Sequence, residues 1–426
     1  MIYRLIRAWA TATLRGFYRI EAPVDPHGGL SLAGPVMYVG NHPNGLVDPG
    51  LIFVLSQREV TFLAKEPLFR MPGVGALLRG VGALPVYRKQ DGADTAKNEG
   101  TLTAATAALV SGRAITIFPE GKSHSEPQLS ELKTGAARIV LAAKEQGVDP
   151  KVVPVGITYV ARNRFRSRVH VEIGEPLPVE GDVKALTGTI ADALKKVTLN
   201  LEAWEDLPII KTADELYSLQ TGQKAGDPDR LKRFARGMRL LRDEQPERFE
   251  ALKEAVQQFR TRLELLAVSP DDLTSRYRPT TVLWFVARNL LWLLSSPLVV
   301  LGFVLFAVPF LVTRLASRAS GVSWDIQGTI KVLSTMLLAP LWLGLLTFLA
   351  WKFLGPVWAG VTLVGAIPLA AFTRIFVERR LSALHDVRTF FVLGNRKRLQ
   401  QRLLEEGRAI ASQVEALAEE FRPRLS

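Results

Sequence analysis

Two side chains that could move a proton sit six residues apart in the segment Asn41-His42-Pro43-Asn44-Gly45-Leu46-Val47-Asp48-Pro49. Pro43 biases His42 toward extended backbone and keeps it out of a helix. Asp48 ahead of Pro49 reads as a helix N-cap followed by proline at the first helical position. The spacing thus presents an imidazole on a loop and a carboxylate at a helix start. A carboxylate that accepts from one ring nitrogen fixes the tautomer and supports the imidazolium, leaving the other nitrogen to take a proton from a hydroxyl. By itself such a pair is more often a hydrogen-bonded structural loop.

A second cluster follows a short β-branched run: Pro119-Glu120-Gly121-Lys122-Ser123-His124-Ser125. A glycine, a lysine and several hydroxyl or imidazole groups after a strand make a cradle for an oxyanion or a phosphate. Lys65 and Arg88 also close strand-like runs. Ligands of open α/β sheets bind outside the strand C-termini, so His42, Lys65, Arg88, Glu120 and Lys122 are expected to converge on one crevice.

The elements that would position them alternate. Residues 36–40, 60–64, 83–87, 114–118, 152–159 and 169–173 are rich in β-branched residues and bounded by Gly or Pro, and read as strands. Residues 49–56, 96–111, 133–146 and 183–204 read as helices, giving an α/β layer with a parallel or mixed sheet. Ahead of it, residues 1–20 place Arg4, Arg7, Arg15 and Arg19 on one side of a helix and Ile2, Leu5, Ile6, Trp9, Phe17 and Ile20 opposite. That pattern suits a helix in the interface of an anionic leaflet, or one docked on the soluble domain. Residues 227–268 are helical and charged, with six cations and no acid between Arg230 and Arg242 that read at least as well as a solvated helix face as they do as a track for lipid phosphates. The C-terminal segment carries an amphipathic helix suited to pairing with another.

Composition narrows the classes. Among 426 residues, 54 Lys and Arg stand against 41 Asp and Glu, 48% are apolar, and cysteine is absent. The length implies more than one unit. Without Cys there is no disulfide framework, thiol nucleophile or Cys-ligated zinc. A net charge of +13 calls for an anionic partner: nucleic acid, phospholipid or an acidic metabolite. The apolar runs 282–312, 332–351 and 357–376 decide for a membrane, each having the length a hydrocarbon core demands. The cations are dispersed and flank these runs, which argues against nucleic acid. The first run is too long for one crossing and is punctuated by Ser295-Ser296-Pro297. If the clusters Arg276/Arg278, Arg314/Arg318/Lys331 and Arg374/Arg379/Arg380 are all cytoplasmic, that run enters and returns, and the other two form a hairpin about 352–356. A simple three-span arrangement is the alternative.

The blocks GNHPNGLVD, AKEPLFRMPGVGALLRGVGALPVYR, FPEGKSH and VVPVGITY, in this order and spacing, resemble the four motifs of the glycerolipid acyltransferase family. That family includes glycerol-3-phosphate and 1-acylglycerol-3-phosphate acyltransferases. The resemblance covers about residues 35–180. Five residues separate His42 from Asp48 where the usual motif has four, and EGKSH replaces the commoner EGTRS. Both departures are similar to the fungal-type glycerol-3-phosphate acyltransferases, which also carry a downstream membrane region.

The resemblance implies an α/β acyltransferase domain with an N-terminal amphipathic helix and a C-terminal α-helical transmembrane module. The expected division is 1–24 interfacial helix, 25–218 acyltransferase domain, 219–275 charged helical linker, 276–380 membrane helices and 381–426 cytoplasmic helix. It further implies His42 as general base and Asp48 as the group orienting it. Transfer would run directly from an acyl-CoA or acyl-carrier-protein thioester to the sn-1 hydroxyl of glycerol 3-phosphate, with no other cofactor and no metal. Arg88 and the Glu120-Gly121 turn would bind the phosphate end, with Asn41, Lys65, Lys122, Ser123 and His124 nearby and Pro154 shaping the acyl site. Ser123 stands where the commoner block has arginine, which makes Lys122 the substitute cation. The chain is expected in an inner or cytoplasmic membrane, catalytic domain on the cytoplasmic side, touching phospholipid but not nucleic acid. A lysolipid acceptor, a metal hydrolase using His42, Asp48, Glu120 and His124, and a non-catalytic lipid-binding scaffold stand as alternatives.

Overall fold

The computed structural model of the chain describes residues 2–87, 96, 98–274, 279–319, 324–394 and 396–425. The chain divides into two compact units. One comprises residues 1–200 with 309–341, the other residues 201–308 with 342–426.

The first unit opens with helix α1 (Ile2–Phe17), strand β1 (Arg19–Ile20), β2 (Val36–Gly40), α2 (Val47–Leu55), β3 (Val60–Lys65), α3 (Pro67–Arg70), α4 (Val74–Gly80) and β4 (Leu84–Val86). It continues through α5 (Asn98–Val110), β5 (Ala114–Ile117), α6 (Gly135–Glu145), β6 (Lys151–Tyr159), β7 (Arg168–Ile173) and α7 (Val183–Val197). The strands form one mixed sheet in the order β1-β7-β6-β2-β5-β3-β4. β2, β3, β4, β5 and β6 run parallel, and β7 turns back antiparallel to β6. All six expected strands are present. Two-residue β1 and the short helices α3 and α4 went unread, because one or two turns of helix and two residues of strand carry little periodicity.

Side chains alternate across the sheet. Val36, Tyr38 and Phe62 pack on one face against Leu14 and Phe17 of α1 and Leu51 and Ile52 of α2. Met37, Val39 and Ile115 pack on the other against Leu109, Ile139, Val140, Leu186 and Ile190 of α5, α6 and α7. The amphipathic helix α1 therefore spends much of its apolar face on the sheet, while Ile2 and Leu5 at its start stay 63% exposed. The sixth strand meets α7 so closely that a Cβ at Gly156 would lie 1.8 Å from the Val197 carbonyl oxygen. We expect Gly156→Ala to lower the unfolding free energy by about 1–3 kcal/mol through overpacking, read as a fall in the thermal midpoint of the solubilised protein.

The second unit is helical. It holds α8 (Asp206–Thr221), α9 (Pro228–Glu244), α10 (Pro246–Leu266), α11 (Pro279–Leu294), α14 (Pro356–Leu393), α15 (Lys397–Glu420) and α16 (Arg422–Leu425), with parts of α12 (Ser296–Ala319) and α13 (Trp324–Leu354). Helix α8 lies in this unit, where its Ile209 and Leu216 pack with Phe259, Leu403 and Ile410. Of the six cations between Arg230 and Arg242, four turn to acids. Arg230 pairs with Asp214, Lys232 with Asp229, Arg239 with Glu202 and Arg242 with Glu202 and Asp206. Only Arg233 and Arg236 remain exposed on that face for an outside anion.

Three helices are long and apolar enough to cross a membrane, spanning Ser296–Arg318, Gln327–Leu354 and Pro356–Leu393. Such a set marks a membrane protein. The first apolar run breaks at Ser295, whose amide and hydroxyl both donate to the Trp292 carbonyl, between α11 and α12. The last two helices break at Gly355, which takes a positive φ of 93°. Arg276 and Arg278, used above for topology, lie outside the described residues.

Candidate active site

The loops after β2 and β5 leave the sheet at the same edge, because these strands are parallel neighbours in register. Backbone bonds join the loops: the His124 amide donates to the His42 carbonyl at 3.2 Å. The Glu120 carboxylate makes the junction firmer, accepting from the His42 amide at 2.7 Å and the Ser130 amide at 2.8 Å. The same carboxylate receives His124 Nε2–H, and His124 Nδ1 accepts from the Glu126 amide. Glu120 is 3% exposed and its oxygens are committed to these donors. His124 and Glu120 therefore lock the FPEGKSH loop onto the His42 loop.

His42 Nδ1–H donates to Asp48 Oδ2 at 2.9 Å, and its ring stacks on Phe118 with centroids 4.4 Å apart. With the proton held on Nδ1, Nε2 carries the lone pair that can accept a proton. Asp48 is fully buried. Its Oδ2 also accepts from the Asn44 amide at 2.6 Å, and its Oδ1 accepts from the Tyr159 hydroxyl at 2.6 Å. The expected N-cap role is corrected here. Helix α2 begins at Val47 with Leu46 at the cap position, so Asp48 lies inside the first turn and aims its carboxylate away from the helix.

Tyr159 is the residue the sequence reading passed over. It ends β6, two positions past Ile157, and burial beside the Asp48 charge pushes its hydroxyl well above the ordinary range. It is a proton-bearing donor across the neutral range. Replacing it with phenylalanine leaves Asp48 Oδ1 without its donor. We expect Tyr159→Phe to lower the unfolding free energy by about 1–3 kcal/mol, measured by denaturant titration of the solubilised protein.

Arg162 is a second unread residue. It is 5% exposed and donates from one guanidinium nitrogen to the carbonyls of Pro43 and His124, tying both loops from behind. Tyr18 completes the packing, donating to the Arg162 carbonyl at 2.6 Å and accepting from Asn44 Nδ2 at 3.0 Å. No local pattern marks either one, since their partners lie more than 25 residues away in the chain.

The remaining expected residues separate. Asn41 spends its side chain on the backbone of Ile157, donating at 3.0 Å and accepting at 2.7 Å, and so staples β2 to β6. Pro154 is buried within β6 opposite Val39. Gly121 makes the turn after Phe118 at φ 75°, while Lys122 is exposed and Ser123 half-buried. The stem of exposed Lys133 passes 3.5 Å from where a Gly121 Cβ would stand, adding a cation not read from the sequence. Lys65 ends β3 at the same sheet edge, opposite Val86. Arg88 lies outside the described residues. Among the described residues no three His, Asp or Glu side chains gather as metal ligands.

Residues 22–158, which hold both loops and the whole of β6 but its last residue, match the sequence model of the Acyltransferase family. The match covers the α/β domain that holds the His42–Asp48 pair. This domain is similar to glycerol-3-phosphate O-acyltransferase 1 of Saccharomyces cerevisiae, 32% identical over 155 residues, which is 32% of this chain and 20% of that protein. Glycerol-3-phosphate O-acyltransferase 2 of the same yeast is 38% identical over 117 residues, 24% of this chain and 16% of that one. The chain thus spans about a fifth of the length of these relatives. Human 1-acyl-sn-glycerol-3-phosphate acyltransferase beta is 26% identical over 209 residues, 46% of this chain and 71% of that protein. The crystal structure of the 1-acyl-sn-glycerophosphate acyltransferase of Thermotoga maritima aligns with a TM-score of 0.35 at 20% identity, covering 45% of this chain and 77% of that one. Within this domain, the blocks quoted above provide the His42–Asp48 pair, the Glu120 lock and the Tyr159 donor.

Proposed function

We propose that the chain is a membrane-bound acyltransferase that moves a fatty acyl group from a thioester to the sn-1 hydroxyl of glycerol 3-phosphate, giving lysophosphatidate. The observation that carries this reading is the His42–Asp48 pair at 2.9 Å inside an acyltransferase-family domain similar to two yeast glycerol-3-phosphate O-acyltransferases. In the reaction His42 Nε2 takes the hydroxyl proton as the oxygen attacks the thioester carbonyl. The C–O bond forms, the C–S bond breaks, and the proton passes to the departing thiolate. Asp48, held by Asn44 and Tyr159, keeps the ring oriented and stabilises the transient imidazolium. Lys122 and Lys133, exposed beside the Gly121 turn, would meet the acceptor phosphate and raise its effective concentration at the base. The donor is acyl-CoA or acyl carrier protein, and the catalytic domain faces the cytoplasm.

A lysolipid acceptor is the second reading, favoured by the match that covers 71% of the human 1-acyl-sn-glycerol-3-phosphate acyltransferase. The two are separated by offering glycerol 3-phosphate and lysophosphatidate separately to the detergent-purified protein, with palmitoyl-CoA or palmitoyl carrier protein as donor. Thiol release and lipid product are both recorded. Lysophosphatidate formed from glycerol 3-phosphate supports the first reading, and turnover with lysophosphatidate alone replaces it by the second. Failure of both acceptors with both donors overturns the enzyme reading.

A further inference from the structure

Helix α13 is long and apolar enough to cross a membrane from Gln327 onward, yet its first turns belong to the acyltransferase unit. Thr329, 5% exposed, accepts the Leu46 amide at 2.9 Å on its hydroxyl oxygen and directs that hydroxyl at the Asn44 carbonyl at 3.4 Å. Both partners lie in the loop between His42 and Asp48. One residue earlier, Gly328 sits against the Asn44 side chain so closely that a Cβ there would lie 2.6 Å from Asn44 Oδ1 and 3.1 Å from the Tyr18 hydroxyl. Lys331 Nζ donates to the Asn163 carbonyl at 2.9 Å, and Val332 and Met336 enter the core that holds α1 and α2. The contact is a close-fitting seat in which Thr329 and Lys331 find partners, while Asn44 Oδ1 is buried against Gly328 without a hydrogen-bond donor.

We propose that the start of α13 is part of the catalytic apparatus, with Thr329 a positioning residue for the His42–Asp48 pair. This rests on the acyltransferase reading above. The chain of bonds is short. Thr329 holds Leu46 and Asn44, the Asn44 amide holds Asp48 Oδ2, and that oxygen holds His42 Nδ1. Within the loop the Val47 amide also donates to the Asn44 carbonyl at 2.9 Å, while Gly45 at φ 41° lies at the centre and offers no side chain to hold it. The seat of a membrane-crossing helix and the geometry of the base are then one structure, so the domain is fully active only with α13 in place.

The test uses the full-length protein reconstituted in nanodiscs, with kcat and KM measured for each substrate. Thr329→Val keeps the shape and removes the hydroxyl. Its expected effect is a roughly 10-fold lower kcat with both KM values within about twofold of wild type. Thr329→Ser restores the hydroxyl and should recover most of the rate. Gly328→Ala should fall at least as far as Thr329→Val. Thr347→Val, lower on the same helix and bonded only to its own Leu343 carbonyl, should be unchanged. Equal kcat in Thr329→Val and wild type overturns the inference, as does a serine variant no better than valine. A valine loss matched by an equal fall in thermal midpoint and a raised KM marks a merely structural contact and also overturns it. Failure of the wild-type protein with both acceptors and both donors would instead remove the acyltransferase reading itself.

Discussion

Exchange of His42 for alanine is expected to lower kcat for acyl transfer by about 10²–10⁴-fold, the range over which a positioned base contributes. The variant isolates the ring cleanly. The bond that ties this position to Glu120 comes from the backbone amide of residue 42, so alanine retains it. Phe118 loses its stacking partner, but Arg162, Glu120 and His124 still hold the two loops together. A thermal midpoint near that of the wild type, alongside a collapsed kcat and little change in KM for the acceptor, is the anticipated pattern. Undiminished turnover would assign the proton to another group.

Asp48→Asn is expected to reduce kcat by about 10–10²-fold, the value of a hydrogen bond made to a charged partner. Its buried carboxylate takes donors on both oxygens: His42 Nδ1 and the Asn44 amide on one, the Tyr159 hydroxyl on the other. An asparagine can satisfy this set only with its oxygen toward His42 and Asn44 and its amide toward Tyr159, whose hydroxyl must then accept. The tautomer survives that arrangement, but the negative charge that supports the imidazolium is gone. Because Asp48 acts through His42, the double variant should be no slower than His42→Ala alone. Additive losses in that cycle would give Asp48 a separate role in the reaction.

Local features account for much that was legible beforehand. Six β-branched runs bounded by glycine or proline became β2 to β7, because extended backbone and alternating burial are written within a few residues. The apolar runs from Val282 to Phe376 became helices for an equally local reason, and Ser295 and Pro356 marked their breaks. The histidine, the aspartate and the FPEGKSH loop could be chosen because their residue types already carry chemistry. The neighbours of α8 could not be read locally, since an amphipathic stripe says that a helix packs and not on which neighbour.

Roles depending on distant partners were decided by the tertiary structure. Asp48 reads both as a cap and as the partner of His42; it keeps only the second place, and Tyr159, which holds its other oxygen, arrives from 111 residues away at the end of β6. Glu120 reads as a ligand for substrate, yet its oxygens are filled by amides of two loops and by His124. Thr329 reaches Leu46 across 283 residues. The sequence by itself determined the strands, the apolar helices and the pair of side chains able to move a proton, because each rests on interactions within a turn or a strand. Only the tertiary structure decided what holds that pair, because strand order and the seat of α13 bring together groups that no local pattern relates.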